Sequence, residues 1–108
     1  MLFMEIVILK QVEKELLKAP FEIKKDIFSL FQDLSNGKAL TMPISRSLNS
    51  ITKGLYELRL SSKEGEFRVF YLIKIKEAIY ILHAMTKKKQ AIDKKTISLL
   101  QTRIRSIE

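Results

Sequence analysis

The sequence predicts an α+β fold in a single domain that spans residues 1–108. Three β-rich runs follow one another in the second half of the chain: GLYELRL (54–60), EFRVFYLI (66–73) and IYILHAMTKKK (79–89). Short polar connections, such as residues 61–65, separate the runs and indicate an antiparallel meander. The other segments show mainly helical spacing, and a chain of 108 residues permits one modest core.

The first part of the chain is predicted to form one strand and two helices. Residues 2–9 include three β-branched side chains in succession and form the first strand. A short helix is expected from residue 10 to about residue 19, because Pro20 disfavours helical geometry in the residue before it. A second helix is predicted to begin at Pro20, which suits a first helical turn, and to end at Asn36-Gly37. Its apolar face consists of Ile23, Ile27, Leu30, Phe31 and Leu34.

The segment of residues 38–53 has the least regular pattern, because Ser, Thr and Asn are frequent and Pro43 interrupts it. It is predicted to be a surface loop anchored by its few apolar residues. The last helix is expected to begin after Asp93, a suitable N-cap, and to run to about Ile107. Its apolar positions form one stripe and its basic residues lie elsewhere on the helix.

Charge and composition restrict the function. The chain has 20 Lys and Arg against 12 Asp and Glu, a formal charge of +8. This excess favours an anionic partner, which leaves RNA, DNA, an anionic membrane surface and an acidic protein open. Without cysteine, without a cationic leader and without a run of roughly 20 apolar residues, the chain is expected to be cytoplasmic and not bound to a membrane. A single histidine and scattered carboxylates predict no metal and no small-molecule cofactor.

The order GLYELR, FRVFYLI, an apolar strand that runs into H-x-x-x-K-K-K, and a lysine-bearing helix resembles the RelE superfamily of type II toxin-antitoxin toxins. The resemblance is closest to the phage-derived, HigB-like group. It covers about the last half of the chain at the level of motifs, and the rest by element order. The resemblance implies a RelE-like fold, a ribosome-dependent mRNA endonuclease (mRNA interferase) that inhibits translation, and a cognate antitoxin of the helix-turn-helix type. The alternative is a non-catalytic basic module, a degenerate toxin that binds RNA or DNA in complex with an antitoxin.

RNA cleavage needs no metal when the 2′-hydroxyl attacks the adjacent phosphate. The protein must then align the reacting groups, assist proton transfer and stabilise the added negative charge. Arginine suits the last task, because its planar fork binds two phosphate oxygens and stays protonated. Arg68 is therefore the first candidate for the catalytic cation, with Arg59 on the neighbouring strand beside it.

The lysines near the last strand have two possible uses. Lys87 and Lys88 are catalytic candidates, because the resemblance aligns them with a basic residue of the family's RNA-cutting site. Clustered ammonium groups also lower one another's pKa, which suits a proton shuttle. For Lys89, Lys94 and Lys95, contact with the RNA backbone is the favoured interpretation.

Four further residues admit both a structural and a functional interpretation. Tyr71 is assigned to RNA binding by stacking on a base, although it lies in a strand whose two faces are apolar. Phe70 is expected to lie in the core for the same reason. For His83, a strand residue with a satisfied ring nitrogen is favoured over a general base. For Glu57, an ion pair with Arg59 on the same strand face is favoured over a role as the base. Well-studied RelE toxins have lysines in the strand where this chain has Leu55 and Glu57. They also have a tyrosine in the last helix, for which this chain has no counterpart after Asp93. The general acid and the general base are therefore not assigned.

Overall fold

The computed structural model describes residues 3–87 and 91–108 and confirms the predicted α+β fold. Within these residues a five-stranded sheet has helices packed on both faces. The elements in chain order are β1 (Glu5–Ile8), α1 (Lys10–Leu17), α2 (Phe21–Ser35), β2 (Ser45–Ser47), β3 (Leu55–Ser62), β4 (Gly65–Lys74), β5 (Ala78–Lys87) and α3 (Lys94–Ser106). Among the described residues, no helix is long and apolar enough to cross a membrane.

The strand order is β1-β5-β4-β3-β2. Strands β3, β4 and β5 form the predicted antiparallel meander, and β1 adds to the edge of β5 in parallel orientation. Strand β2 was not predicted, because residues 38–53 were assigned to a loop. It has only three residues, Ser-Arg-Ser, so neither its length nor its composition indicates a strand, and pairing with β3 creates it.

The helix ends agree closely with the predictions. Pro20, the predicted first residue of α2, is its N-cap and has extended geometry, so the helix begins one residue later than predicted, at Phe21. Helix α2 ends at Ser35, and Gly37 follows with a φ of 84°, a value that suits glycine. Asp93 is the N-cap of α3 as predicted, and its carboxylate accepts a hydrogen bond of 2.8 Å from the Thr96 backbone N–H. Hydrogen bonds from the Thr96 side chain and from this backbone N–H lower the pKa of Asp93.

Two hydrophobic clusters lie on opposite faces of the sheet. Successive residues of β4 point to opposite faces and so contribute to different clusters. Val69 belongs to the cluster beneath α1 and α2, and Phe70 belongs to the cluster beneath α3. Phe70 is fully buried, so its predicted place in the core is confirmed. We call the two sides of the sheet the α1/α2 face and the α3 face.

A β-bulge in β5 changes which residues reach the α3 face. Phe70 pairs with His83 whereas Tyr71 pairs with Ile81, so Leu82 is an extra residue in β5. Before the bulge, Ile81 packs in the α1/α2 cluster and Leu82 packs in the α3 cluster. After it, His83 stacks on Phe70 and therefore also lies on the α3 face. Every second residue beyond His83, including Lys87, follows to that face.

Candidate functional site

A group of charged side chains from three strands lies on the α3 face. Arg59 and Arg68 are direct cross-strand partners, and Arg46 of β2 lies opposite Glu57 of β3. The predicted approach of Arg59 and Arg68 on one face of the sheet is therefore confirmed. We call the group formed by Arg46, Glu57, Arg59, Glu66 and Arg68 the arginine cluster.

Arg68 and Glu57 form the buried centre of the arginine cluster. Arg68 is 1% exposed and Glu57 is fully buried. Nη1 of Arg68 lies 3.1 Å from Oε2 of Glu57, and Nη2 of Arg68 lies 2.7 Å from Oε1 of Glu66. The Arg68 guanidinium is thus fixed by two carboxylates, and its predicted catalytic role requires that one of them gives way to phosphate.

Arg59 and Arg46 complete the cluster toward solvent. Nε of Arg59 lies 3.5 Å from Glu66 and 4.0 Å from Glu57, so the predicted pairing of Arg59 with Glu57 is present but long. Nη2 of Arg46 lies 3.2 Å from Oε1 of Glu57, and the Arg46 side chain is 36% exposed. Arg46 was missed by the sequence analysis because its strand was assigned to a loop.

Glu66 was also missed, although a signal for it exists. Its position two residues before Arg68 on β4 places both side chains on one face. The Glu66 side chain is 25% exposed, more than that of Arg59 or Arg68. Glu66 and Arg59 also line a hollow of about 610 Å³ between α2 and the end of β3. Glu66 is therefore the carboxylate of the cluster that solvent and ligands reach.

Lys87 brings a further cation to the arginine cluster. It lies opposite Glu66 in the β4–β5 register and is only 7% exposed. Its Nζ is buried and has no hydrogen-bond partner within the described part of the chain. Burial of an amine without a partner is unfavourable, and such a group marks a place where an anion is stabilised.

The other predicted lysines fall into two sets. Lys88 and Lys89 lie outside the described residues. Lys94 and Lys95 are exposed in the first turn of α3, beside the positive end of the helix dipole. With Arg46 and Lys87 they extend the positive charge of this face, an arrangement suited to a polyanion.

Tyr71 does not lie with the arginine cluster. It is 1% exposed, packs in the α1/α2 cluster and forms a 2.7 Å hydrogen bond between its hydroxyl and that of Ser45. Burial raises the pKa of Tyr71. Its ring stacks on Tyr56 with centroids 5.3 Å apart. Because the ring has no free face at the surface, Tyr71 is a core residue, and the prediction that it stacks on an RNA base is contradicted.

His83 belongs to a separate ion-pair group that joins α1, β5 and α3. Its Nδ1 lies 2.9 Å from Oε1 of Glu15, which confirms the predicted satisfied ring nitrogen. Both Nη atoms of Arg103 donate to Glu15 at 3.0 Å, and Nη1 also donates to the Leu82 carbonyl. The Ala84 backbone N–H donates to Glu15 as well. Strand β1 pairs with β5 only as far as Ile81. Beyond that residue, Glu15 and Arg103 provide hydrogen-bond partners for the backbone groups on the open edge of β5.

We expect the stability of the fold to decline in mildly acidic solution because of His83. Burial lowers its pKa below the ordinary value of 6.5, against the opposing influence of Glu15. Above pH 6.5 the neutral His83 ring makes its full contribution to the free energy of unfolding. This contribution is lost as the pH falls toward the pKa of the folded protein, because His83 takes up a proton at a higher pH in the unfolded chain than in the folded one. Urea unfolding between about pH 7 and about pH 5 tests this, and the decline should be smaller in His83→Gln. An equal decline in both proteins would contradict the assignment.

The ionisation of Glu15 affects the stability of the fold at a lower pH than that of His83. Burial raises it, but hydrogen bonds from Arg103, His83 and the Ala84 N–H outweigh burial and hold it below the ordinary 4.5. Its contribution to stability is therefore present above about pH 4.5 and is lost as the pH falls through the lowered pKa. The two windows are distinct, so the His83 effect is measurable by itself.

The arrangement on the α3 face has the components of an anion site. Four cations, Arg46, Arg59, Arg68 and Lys87, accompany two carboxylates, Glu57 and Glu66. The excess charge and the planar guanidinium groups suit phosphate. In residues 3–87 and 91–108, no three His, Cys, Asp or Glu side chains are grouped so as to hold a metal ion.

Comparisons with known proteins agree with the fold and the predicted family. A chain from the toxin-antitoxin complex RelBE2 of Mycobacterium tuberculosis is 18% identical, with a TM-score of 0.58, and the match covers 80% of this chain and all of that one. A mutant of the E. coli toxin RelE in the free state is 15% identical, with a TM-score of 0.64, and covers 96% of this chain and 99% of that one. No curated protein matches by sequence.

The family model described as "Phage derived protein Gp49-like (DUF891)" matches residues 14–105 of the chain. This match spans the second half of α1, all of α2, the whole meander and nearly all of α3. The predicted relationship to the RelE-like, phage-derived group is thus confirmed. The chain belongs to the phage-derived Gp49-like family and has the fold of the RelE toxins.

Proposed function

We propose that this protein is the toxin of a type II toxin-antitoxin system and that it inhibits translation as a ribosome-dependent mRNA endonuclease. The observation that supports this most directly is the buried Lys87 amine, which lacks a hydrogen-bond partner among the described residues. It lies on the sheet face that carries Arg68 and Arg59, within a RelE fold. A phosphate at this position would provide the missing anion.

In the proposed reaction the RNA supplies its own nucleophile. The 2′-hydroxyl loses its proton to solvent and its oxygen forms a bond to phosphorus as the bond to the 5′-oxygen breaks. The departing 5′-oxygen takes up a proton from solvent, which leaves a 2′,3′-cyclic phosphate and a 5′-hydroxyl. Negative charge grows on the two non-bridging oxygens, and Arg68 and Lys87 stabilise it. Phosphate displaces the Glu66 carboxylate, the more exposed of the two that hold Arg68. Arg59, which also contacts Glu66, then binds the same phosphate.

Glu57 serves as a fixed counterion in this mechanism. It is fully buried between Arg46 and Arg68, at 3.2 and 3.1 Å. A carboxylate in that position orients the two guanidinium groups before the substrate arrives. Lys88 stays a proposed catalytic residue on the strength of the sequence resemblance alone.

The RNA backbone on either side of the cut is proposed to follow exposed cations. Lys94 and Lys95 of α3 and Arg46 of β2 supply them, and Lys89 remains a proposed contact from the sequence. Binding through such contacts weakens steeply as salt increases.

A cognate antitoxin is proposed to neutralise the protein. One structural neighbour comes from a toxin-antitoxin complex, and the family resemblance favours a helix-turn-helix antitoxin. The proposed site of action is the cytoplasm, where the ribosome and mRNA are available.

Primer extension on a defined mRNA tests the proposed function. Purified, folded protein is added to a reconstituted translation system, and the same mRNA without ribosomes is the control. We expect cuts within the codon at the ribosomal A site, only on translated mRNA, with cyclic phosphate at the upstream end of each cut. A folded protein that binds RNA in a salt-dependent manner but leaves translated mRNA intact would favour the non-catalytic binding module instead.

A further inference from the structure

The outer side of α2 carries exposed aromatic residues that the fold does not need. Phe21 is 91% exposed and Phe28 is 55% exposed, and the two are seven residues apart, so both lie along one line of the helix. The core-facing side of the same helix is complete without them, with Ile23, Ile27, Phe31 and Leu34 all buried. Leu17, at the end of α1, is a further exposed apolar residue, at 72%.

Part of this surface is already held in position. The Phe28 ring contacts the buried Phe31 ring edge-on, with centroids 5.8 Å apart and planes at 85°. Such aromatic contacts limit the motion of the exposed ring. A large apolar side chain that is both exposed and oriented is typical of interaction surfaces.

The basic residues of α2 lie beside the two phenylalanines, and its acidic residues lie on another side of the helix. Lys24 and Lys25 lie three and four residues after Phe21, on the same side of the helix, and Gln32 lies four residues after Phe28. We call the surface formed by Phe21, Lys24, Lys25, Phe28 and Gln32 the α2 stripe. The acidic residues of α2 lie off this line.

Two of those acidic residues have partners elsewhere in the protein. Glu22 accepts a hydrogen bond from the backbone N–H of Lys63, and Asp33 forms an ion pair with Lys38. The third, Asp26, lines the hollow beside Arg59, so the α2 stripe is apolar at its centre and positive at its sides. Its complement is a surface with apolar side chains surrounded by carboxylates.

We propose that the α2 stripe docks an acidic amphipathic helix of a protein partner, and that this partner is the cognate antitoxin; the identity of the partner rests on the proposed function. An amphipathic helix presents apolar residues at the spacing of Phe21 and Phe28, and its acidic flanks face Lys24 and Lys25. A second copy of this chain fits less well, because a symmetric contact brings the lysines of both copies together.

The docking surface and the arginine cluster lie on opposite faces of the sheet. Residues of α2 pack in the α1/α2 cluster, whereas Glu57 and Arg68 share a face with Phe70 and the α3 cluster. None of the stripe residues lines the hollow between α2 and β3 that Arg59 and Glu66 share, so the α2 stripe is an anchor for the partner that is separate from the proposed cleavage site. Substitutions on the stripe are expected to leave RNA cleavage unchanged.

Binding of a designed peptide to the full chain tests the proposal. The probe is a labelled helical peptide of about 20 residues, with leucines in one stripe and glutamates elsewhere. A second peptide has lysine in place of every glutamate. Fluorescence anisotropy measures Kd, and amide chemical shifts in NMR spectra locate the bound peptide on the protein.

We expect the acidic peptide to bind with shift changes concentrated in α2, and the lysine peptide to bind more weakly. The double substitution Phe21→Ser/Phe28→Ser should raise the Kd of the acidic peptide by at least about tenfold. Lys24→Glu/Lys25→Glu should reverse the preference between the two peptides. Ile75→Ser is the matched control, since Ile75 is an equally exposed apolar residue, at 82%, in the turn after β4, and it should change nothing.

Three results would overturn the proposal. Peptide binding that is unaffected by Phe21→Ser/Phe28→Ser would remove the stripe as the docking surface. Self-association in analytical ultracentrifugation that these substitutions abolish would make the stripe a homodimer contact. Binding of an RNA oligonucleotide that Lys24→Glu/Lys25→Glu abolishes would make it an RNA contact. The cleavage assay is read separately, so a protein that binds the peptide as expected but cuts no RNA contradicts the proposed function and leaves the docking surface in place.

Discussion

Replacement of Arg68 by alanine is expected to lower the free energy of unfolding by about 3–5 kcal/mol and to abolish RNA cleavage. The loss of stability follows from burial, because Arg68 is 1% exposed and its Nη1 lies 3.1 Å from the fully buried Glu57 carboxylate. Alanine leaves that carboxylate buried with one of its arginine partners removed. The loss of cleavage follows because the guanidinium is the proposed stabiliser of the transition state. Urea unfolding measures the first effect and primer extension the second.

A double variant separates folding from chemistry at this position. Glu57→Gln/Arg68→Met retains similar side-chain volumes and removes both buried charges, so it should recover most of the stability that Arg68→Ala loses. It should still fail to cleave RNA. Cleavage at the wild-type rate by the folded double variant would exclude Arg68 from the site. Unchanged stability of Arg68→Ala would contradict the importance of the buried ion pair.

Replacement of Lys87 by methionine is expected to reduce the cleavage rate by about 10²–10³-fold while the fold is retained. The Lys87 amine is buried on the α3 face without a partner among the described residues, so methionine of similar length removes a charge and no hydrogen bond found there. The free energy of unfolding should stay the same or increase. Single-turnover cleavage on stalled ribosomes measures the rate, and urea unfolding measures the stability.

Lys10→Met is the matched control for this substitution. Lys10 is exposed at the start of α1, so its replacement changes the net charge equally without altering the site. It should retain full cleavage. Equal activity of the two variants would show that Lys87 contributes nothing beyond general charge, and a large loss of stability in Lys87→Met would show that its role is structural.

The elements with strong local signals were predicted well. The meander, α2 and the Asp93 cap of α3 follow from β-branched runs, helical spacing and a capping side chain, all of which act within a few residues. Strand β1 is shorter than predicted, at Glu5–Ile8. Strand β2 has no local signal, since pairing with β3 is what orders its three residues. The interpretations of His83 and Phe70 were correct because both follow from the apolar pattern of their strands.

The sequence by itself determined the fold class, the family, the positive charge and the pairing of Arg59 with Arg68, because strand alternation and hairpin register are properties of neighbouring residues. Only the tertiary structure decided which charges meet. The bulge at Leu82 moves Lys87 to the face of Arg68, whereas simple alternation from Ile81 would place it on the opposite face. Tyr71 became a core residue for a related reason, since its burial depends on helices packed from a distant part of the chain. Contacts between residues far apart in sequence depend on strand register and packing, and one added residue in a strand reverses the side to which every later side chain points.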